Sequence, residues 1–404
     1  MNKALVDYAI AGSALAPCQD VTLFGEEHAW RKCIYRVSAQ NQAATTTMLA
    51  TAATSKIDVH HHIFLPQLAR RKASQNEAVG WKTPAENMPW SIEKSLNAMD
   101  KLGIARAVLS YPAGVPETLV KSPFRAAACG AGDLTDVHED ARREENRKVV
   151  RELNTHAKEL CDAADARGRF GWFACLPDLR NVEGTLREIA YALDVLRADG
   201  VSLSSSYGHG SGAVYIGDDL FDPVWAELDR RGAVVFVHGT QTPSSTPYPH
   251  ACLGLPVTEV PNETFKAAAH LVVAGKKRRY PHVKIILAHC GGSAPFLAAR
   301  VAALSAYMGG ELAPEACLAD LGTFYVETAL CGHGTAMQLV EAMFGKSRIL
   351  FGTDFPAVST ETIEWFTGHL EAHYANDADA LDEVTKKTAL RLFPRFRATA
   401  QEGT

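Results

Sequence analysis

The stretch Lys56-Ile57-Asp58-Val59-His60-His61-His62 decides how this chain is read. Residues 56–59 carry the signal of a short buried strand, and three histidines stand where that strand ends. Alternate side chains of a strand share a face, so His60 and His62 point together and His61 points away. Two imidazoles converging past a strand end are either metal ligands or solvated loop residues. The pair by itself leaves both readings open, and the surrounding pattern must choose.

Seven further apolar runs follow at residues 105–110, 170–175, 201–203, 233–237, 284–288, 324–327 and 348–351. Most are four to six residues of Val, Ile, Leu, Phe and Ala in continuous rather than alternating order, which suits parallel strands buried on both faces. Amphipathic segments lie between them. The spacing predicts helices over 91–102, 139–167, 183–198, 223–231, 263–275, 294–304, 335–344 and 360–373, with a closing helix in 382–396. Pro223 suits a first helical turn, and Gly103, Gly168, Gly200, Gly232, Gly275 and Gly345 stand at or just after helix ends. Eight strand–helix alternations predict a (β/α)8 TIM barrel over residues 56–404. A doubly wound sheet is the alternative, but it would place a glycine-rich phosphate turn after the first strand, where this chain has histidines.

The 404 residues are 47% hydrophobic and 22% charged, an ordinary globular composition. A formal net charge of -5 gives no basic footprint for nucleic acid, and no apolar stretch is long enough to span a membrane. Nine cysteines at irregular spacing, without a CxxC, read as free thiols of a cytoplasmic protein. Residues 1–55 include an Ala/Thr-rich tract and read as a loosely structured N-terminal extension, without the pattern of a secretory signal.

In a barrel of this kind, chemistry belongs at the C-terminal ends of the strands. His60 and His62 follow the first strand, His238 ends the fifth, His289 ends the sixth, and Asp354 follows the eighth. A single histidine so placed is usually a hydrogen-bonded core residue. Four histidines and an aspartate at the same end of four strands point jointly to a metal site.

These motifs resemble the amidohydrolase superfamily, and more closely its decarboxylase branch. The carriers are Ile57-Asp58-Val59-His60-His61-His62, Phe236-Val237-His238, Ala288-His289-Cys290-Gly291-Gly292 with Pro295 and Arg300, and Phe351-Gly352-Thr353-Asp354-Phe355-Pro356. The likeness covers about residues 56–396. Gly80-Trp81-Lys82-Thr83-Pro84, Trp90-Ser91 and Met99-Asp100 look most like the fungal 6-methylsalicylate decarboxylases. Binuclear hydrolases of the superfamily carry a bridging lysine at the end of the fourth strand. Here that place reads Leu203-Ser204-Ser205-Ser206, so one metal ion is expected.

The resemblance implies His60, His62, His238 and Asp354 as ligands of one divalent ion, Zn2+ first and Mn2+ as the alternative. It implies His289 and Asp354 as the catalytic pair, with Asp354 favoured as proton donor to carbon. Arg300 and His289 are the expected carboxylate contacts, Arg300 reaching into a neighbouring subunit, so a homodimer is expected. Trp81 and Phe355 are candidate walls of an aromatic pocket. The long segment 241–262 is expected as a lid or pocket wall. The expected reaction is non-oxidative decarboxylation of an aromatic hydroxy acid, with 6-methylsalicylate to 3-methylphenol and CO2 as the best single guess. The alternative is hydrolysis of a lactone or cyclic amide on the same barrel.

Overall fold

Eight parallel strands pair in one continuous order: β1 (Lys56–His62), β2 (Ile104–Ser110), β3 (Phe170–Cys175), β4 (Gly200–Ser204), β7 (Val234–His238), β8 (Lys284–Leu287), β9 (Tyr325–Glu327) and β10 (Ile349–Leu350). The last strand returns to the first. Asp58 bridges Phe351, Val59 N–H donates to the Phe351 carbonyl at 2.9 Å, and His62 N–H donates to that of Phe355 at 2.7 Å. The sheet therefore closes into the expected TIM barrel. This computed structural model describes residues 55–65, 80–114, 136–163, 168–208, 212–240, 250 and 252–398. The expected extension before residue 55 and residues 241–249 and 251 of the expected lid segment lie outside the described residues.

Between the strands run α1 (Ile92–Leu102), α2 (Asp136–Asp162), α3 (Val182–Ala190), α4 (Asp222–Arg230), α5 (Leu255–Val273), α6 (Ala294–Tyr307), α7 (Pro314–Leu321), α8 (Gly334–Phe344) and α9 (Thr360–His373). Local chemistry sets their ends. Ser91 caps α1 by accepting from Lys94 N–H, and Gly103 closes it in the left-handed conformation. Ser359 caps α9 in the same way through Thr362 N–H. Helix α5 starts earlier than the sequence predicts, at Leu255 rather than Glu263, because Pro256 sits in the first turn, where its missing N–H costs nothing. A short hairpin missed by periodicity, β5 (Ser206–Tyr207) with β6 (Val214–Tyr215), stands beyond the end of β4. None of the described helices is long and apolar enough to cross a membrane. The six described cysteines are all free, as expected, while Cys18, Cys33 and Cys129 lie outside the described residues.

The barrel interior is filled by Ile57, Val59, Val108, Phe173, Val234, Phe236, Ile286 and Leu350, with Phe393 and Phe396 of the C-terminal segment packed against them. Phe173 lies 5.8 Å from Phe393 and stacks on Phe236 at 5.4 Å, and Phe236 meets the His60 imidazole edge-on at 5.0 Å. A column of rings thus rises from the closing helices to the first histidine of the site.

Strand β1 differs from the expectation in one informative way. It does not stop at Val59 but runs through all three histidines. Its pairing with β2 slips between Asp58 and His61, the mark of a bulge. Strict alternation from Ile57 and Val59 would turn His61 inward. The bulge shifts the phase, so that Val59, His60 and His62 face the barrel axis while Asp58 and His61 face the helical layer.

Candidate active site

His60, His62, His238, His289 and Asp354 meet at the C-terminal mouth of the barrel, all buried. The Nε2 atoms of His60 and His62 are 3.0 Å apart, and Asp354 Oδ1 lies 3.4 Å from the first and 3.2 Å from the second. His238 completes the ring, its imidazole centroid 5.2 Å from that of His60 and 5.6 Å from that of His62. His289 faces Asp354 from the other side, Nε2 to Oδ2 at 3.5 Å.

The outer nitrogen of each putting-forward histidine is already spoken for. His60 Nδ1–H donates to Glu327 Oε1 at 2.8 Å, and His238 Nδ1–H donates to the Gly239 carbonyl at 2.9 Å. His62 Nδ1 faces the Ser110 carbonyl at 3.3 Å and its hydroxyl at 3.1 Å. With a single proton, on Nδ1, the His60 and His62 rings turn a bare Nε2 lone pair toward Asp354, while His238 groups with His60 and His289. Two bare lone pairs 3.0 Å apart repel unless a proton or a cation lies between them. The candidate ligand atoms form two triads that share His60, one with His62 and Asp354 and one with His238 and His289, each within 4.8 Å. Imidazole nitrogens with a carboxylate oxygen are the donor set of a divalent transition ion, and the residues present fit one.

His289 is built differently. Its Nδ1 is buried and has no hydrogen-bond partner among the described residues. Its ring is therefore not held at Nδ1, as the other three are, and meets Asp354 at Nε2. The backbone that carries it is strained: His289 has φ 54°, Cys290 φ 55°, and Gly291 and Gly292 follow at φ 75° and 61°. A β-carbon at Gly292 would overlap the Pro261 carbonyl of α5, so the turn needs glycine there for space as well as conformation. Asp354 is also left-handed, at φ 62°, with its N–H donated to the His60 carbonyl at 2.8 Å.

The charges of the site are mutually supporting. Burial by itself would lower the His60 imidazole, but the Glu327 and Asp354 carboxylates outweigh it and raise it to about 9. Burial lowers His62 despite its hydrogen bond to Asp354. Burial and the neighbouring His289, His60 and His62 hold His238 well below the usual range. Burial would raise the Asp354 carboxyl, but His60, His289 and His62 pull it well below its ordinary value.

Other expected residues are placed elsewhere. Phe355 is fully buried with its ring 5.0 Å from that of His61, in the layer between barrel and helices. Trp81 is half-buried and its Nε1–H donates to the Ala357 carbonyl at 3.1 Å, bracing the loop after Asp354. Phe64, by contrast, stacks on the His62 ring at 6.1 Å. Arg300 is exposed on α6 and makes no ion pair among the described residues, so within this chain it does not join the cluster. His61 donates or accepts at both nitrogens away from the site, Nδ1 to Asp58 Oδ2 at 3.0 Å and Nε2 to Ser95 Oγ at 2.9 Å. It ties β1 to α1, pointing away from His60 and His62. At the end of β4 stand Ser204 and Ser205, with no amine to hold a second ion.

Two carboxylates escaped the sequence reading. Asp58 accepts from His60 N–H, Thr353 N–H and the Thr353 hydroxyl, joining β1 to the loop after β10. Glu327, the last residue of β9, accepts from His60 Nδ1–H, from His289 N–H at 2.6 Å and from Ala329 N–H at 2.6 Å. The available signal was a charged residue closing an apolar strand, in the same position as His238 and His289.

The family model described as amidohydrolase matches residues 57–395. The decarboxylase macB of Penicillium terrestre is 34% identical over 85% of this chain and 96% of its own length. The 6-methylsalicylic acid decarboxylase acuB of Aspergillus aculeatus is 34% identical over 86% of this chain and 98% of its own length. Among solved structures, a dihydroxybenzoic acid decarboxylase from Polaromonas sp. JS666, with bound manganese and 2-nitroresorcinol, superposes with a TM-score of 0.66 at 20% identity. It covers 84% of this chain and 97% of that one. Strand order, strand-end chemistry and this likeness across nearly the whole barrel agree, and the chain belongs to the amidohydrolase family.

Proposed function

We propose that the protein is a metal-dependent, non-oxidative decarboxylase of an aromatic hydroxy acid, with 6-methylsalicylate as its substrate and 3-methylphenol and CO2 as its products. The observation that carries the reading is the division of labour among the imidazoles. Three are pinned at Nδ1, two of them, His60 and His62, turning Nε2 to Asp354, and one, His289, has no partner for Nδ1 among the described residues. The full-length relatives named above as decarboxylases support it.

His60, His62, His238 and Asp354 would hold the ion, and Zn2+ suits this N3O set, with Mn2+ as the alternative. When bound, the ion supplies Lewis-acid stabilisation for negative charge on the substrate's carboxylate and ortho oxygens. The chain's own residues supply the proton. Asp354 Oδ2 and His289 Nε2 are 3.5 Å apart and form the pair across which it is handed. Asp354 rests ionised among the histidines, so His289 brings the proton to it. Asp354 then delivers it to the ring carbon bearing the carboxylate, and His289 orients that carboxylate. The carbon–carbon bond breaks, its electron pair restores the aromatic ring, and CO2 leaves.

Arg300 acts, in this reading, on the active site of a second copy docked through α6. That helix exposes Phe296 at 79% and Tyr307 at 83%, with Met308 just beyond it at 79%. A cytoplasmic location accords with the free thiols of Cys161, Cys175, Cys252, Cys290, Cys317 and Cys331. The test is to incubate the zinc- or manganese-loaded enzyme with hydroxybenzoates, 6-methylsalicylate included, and with small lactones. Release of CO2 from a salicylate-type acid supports the proposal. Ring opening of lactones without CO2 release would replace it with the hydrolase reading.

A further inference from the structure

Glu327 is fully buried, at 0% exposure, and no motif in the sequence singles it out. One of its oxygens serves two partners of the site at once. Oε1 accepts from the Nδ1–H of His60 at 2.8 Å and from the backbone N–H of His289 at 2.6 Å. Oε2 accepts from Ala329 N–H at 2.6 Å, which fixes the carboxylate plane. The loop after β10 leaves room for it: a β-carbon at Gly352 would overlap Oε2, so the glycine two residues before Asp354 makes space for this carboxylate. We infer that Glu327 is a positioning residue, a single carboxylate that sets the tautomer of His60 and anchors the strained turn carrying His289.

The physical reason lies in acceptor geometry. An ionised carboxylate is acceptor-only at both oxygens, so it forces the His60 proton onto Nδ1 and leaves Nε2 bare toward Asp354. The same oxygen ties down the N–H of a residue at φ 54°, a conformation that persists only where the surroundings hold it. An amide of the same shape cannot satisfy all three donors at once. If its NH2 faces Ala329 N–H, two donors meet. If it faces His60 and His289, the imidazole must turn its lone pair outward and put a proton on Nε2, where a metal would bind. The inference rests on the metal-site reading above.

The experiment compares Zn2+ affinity of the wild-type protein, Glu327→Gln and Glu327→Asp by competition dialysis against a chelator, with thermal unfolding of each metal-stripped protein as the measure of folding. Removing an outer partner of a ligating histidine lowers metal affinity by about 10–100-fold, and that loss is expected for Glu327→Gln. Glu327→Asp, which keeps the charge but not the reach to all three donors, is expected to lose less. Folded Glu327→Gln that binds Zn2+ within about twofold of wild type overturns the inference. Should Glu327→Gln not fold, an unchanged affinity in Glu327→Asp overturns it instead. In folded variants, a drop in kcat exceeding any change in KM is expected as well, because the His289 turn is released. A zinc-binding wild type that liberates no CO2 from any benzoate overturns the decarboxylase reading alone and leaves the affinity comparison standing.

Discussion

Asp354 carries two duties with one side chain, and its surroundings make both available. Oδ1 faces the His60 and His62 nitrogens, and Oδ2 faces His289. The two oxygens thus separate ion holding from proton handling. Asp354→Asn keeps the volume and one acceptor but removes the charge and the second acceptor. It is expected to lower kcat by about 10²–10⁴-fold, the span of a general acid–base contribution, while circular dichroism and thermal unfolding show a folded barrel. Turnover near wild type would end the proton assignment. The sequence revealed Asp354 because it follows a short apolar strand in Phe351-Gly352-Thr353-Asp354. It did not reveal Glu327, whose importance lies in contacts to residues 267 and 38 positions away. Such contacts leave no local spacing to read.

At the scale of elements, each strand end delivers a different group, and the loops after them are held by backbone strain and close approach. The left-handed run from His289 to Gly292 reverses the chain between β8 and α6 within a few residues. That reversal is possible because Gly292 lets the turn lie against the Pro261 carbonyl. Helix α6 is apolar around most of its circumference, with Ala294, Ala298 and Ala302 inward and Phe296, Leu304 and Tyr307 outward. A helix apolar on both sides is covered on both sides, and here the outer cover is proposed to be a second copy. Replacing Phe296 and Tyr307 by glutamate is expected to shift the mass measured by light scattering from dimer to monomer and to reduce activity at low protein concentration. A mutant that keeps the wild-type mass and activity would remove docking through α6 and with it the trans role of Arg300.

Across the whole molecule, the site and the fold stabilise one another. The five converging side chains come from β1, β7, the turn after β8 and the loop after β10, so an ion held there cross-links elements from both ends of the chain. Because the unfolded chain has no preformed site, metal binding adds to folding stability. At a free metal concentration about 100 times Kd the gain is about 2.7 kcal/mol. Chelator treatment is therefore expected to abolish decarboxylation and to lower Tm by several degrees, both restored by adding back the ion. Unchanged turnover after verified removal of metal would end the mechanism. The ring column Phe393–Phe173–Phe236–His60 gives the same coupling a packing route, from the closing helices to the first ligand.

The sequence by itself determined the barrel and the composition of its mouth. Eight continuous apolar runs alternating with amphipathic segments admit few other folds, and each of His60, His62, His238, His289 and Asp354 stands at a strand end in the linear order. These are local signals, set by period and burial. Only the tertiary structure decided which way the residues of β1 face. Alternation from Ile57 and Val59 would have turned His61 inward, and the bulge between Asp58 and His61 turned His60 and His62 there instead. It likewise decided that Phe355 packs on His61, that Arg300 lies outside its own site, and that Glu327 stands behind both His60 and His289. The reason is physical. A strand's face depends on its pairing register, and a buried carboxylate's role depends on which donors the closed barrel brings to it, and neither is fixed until the first and last strands meet.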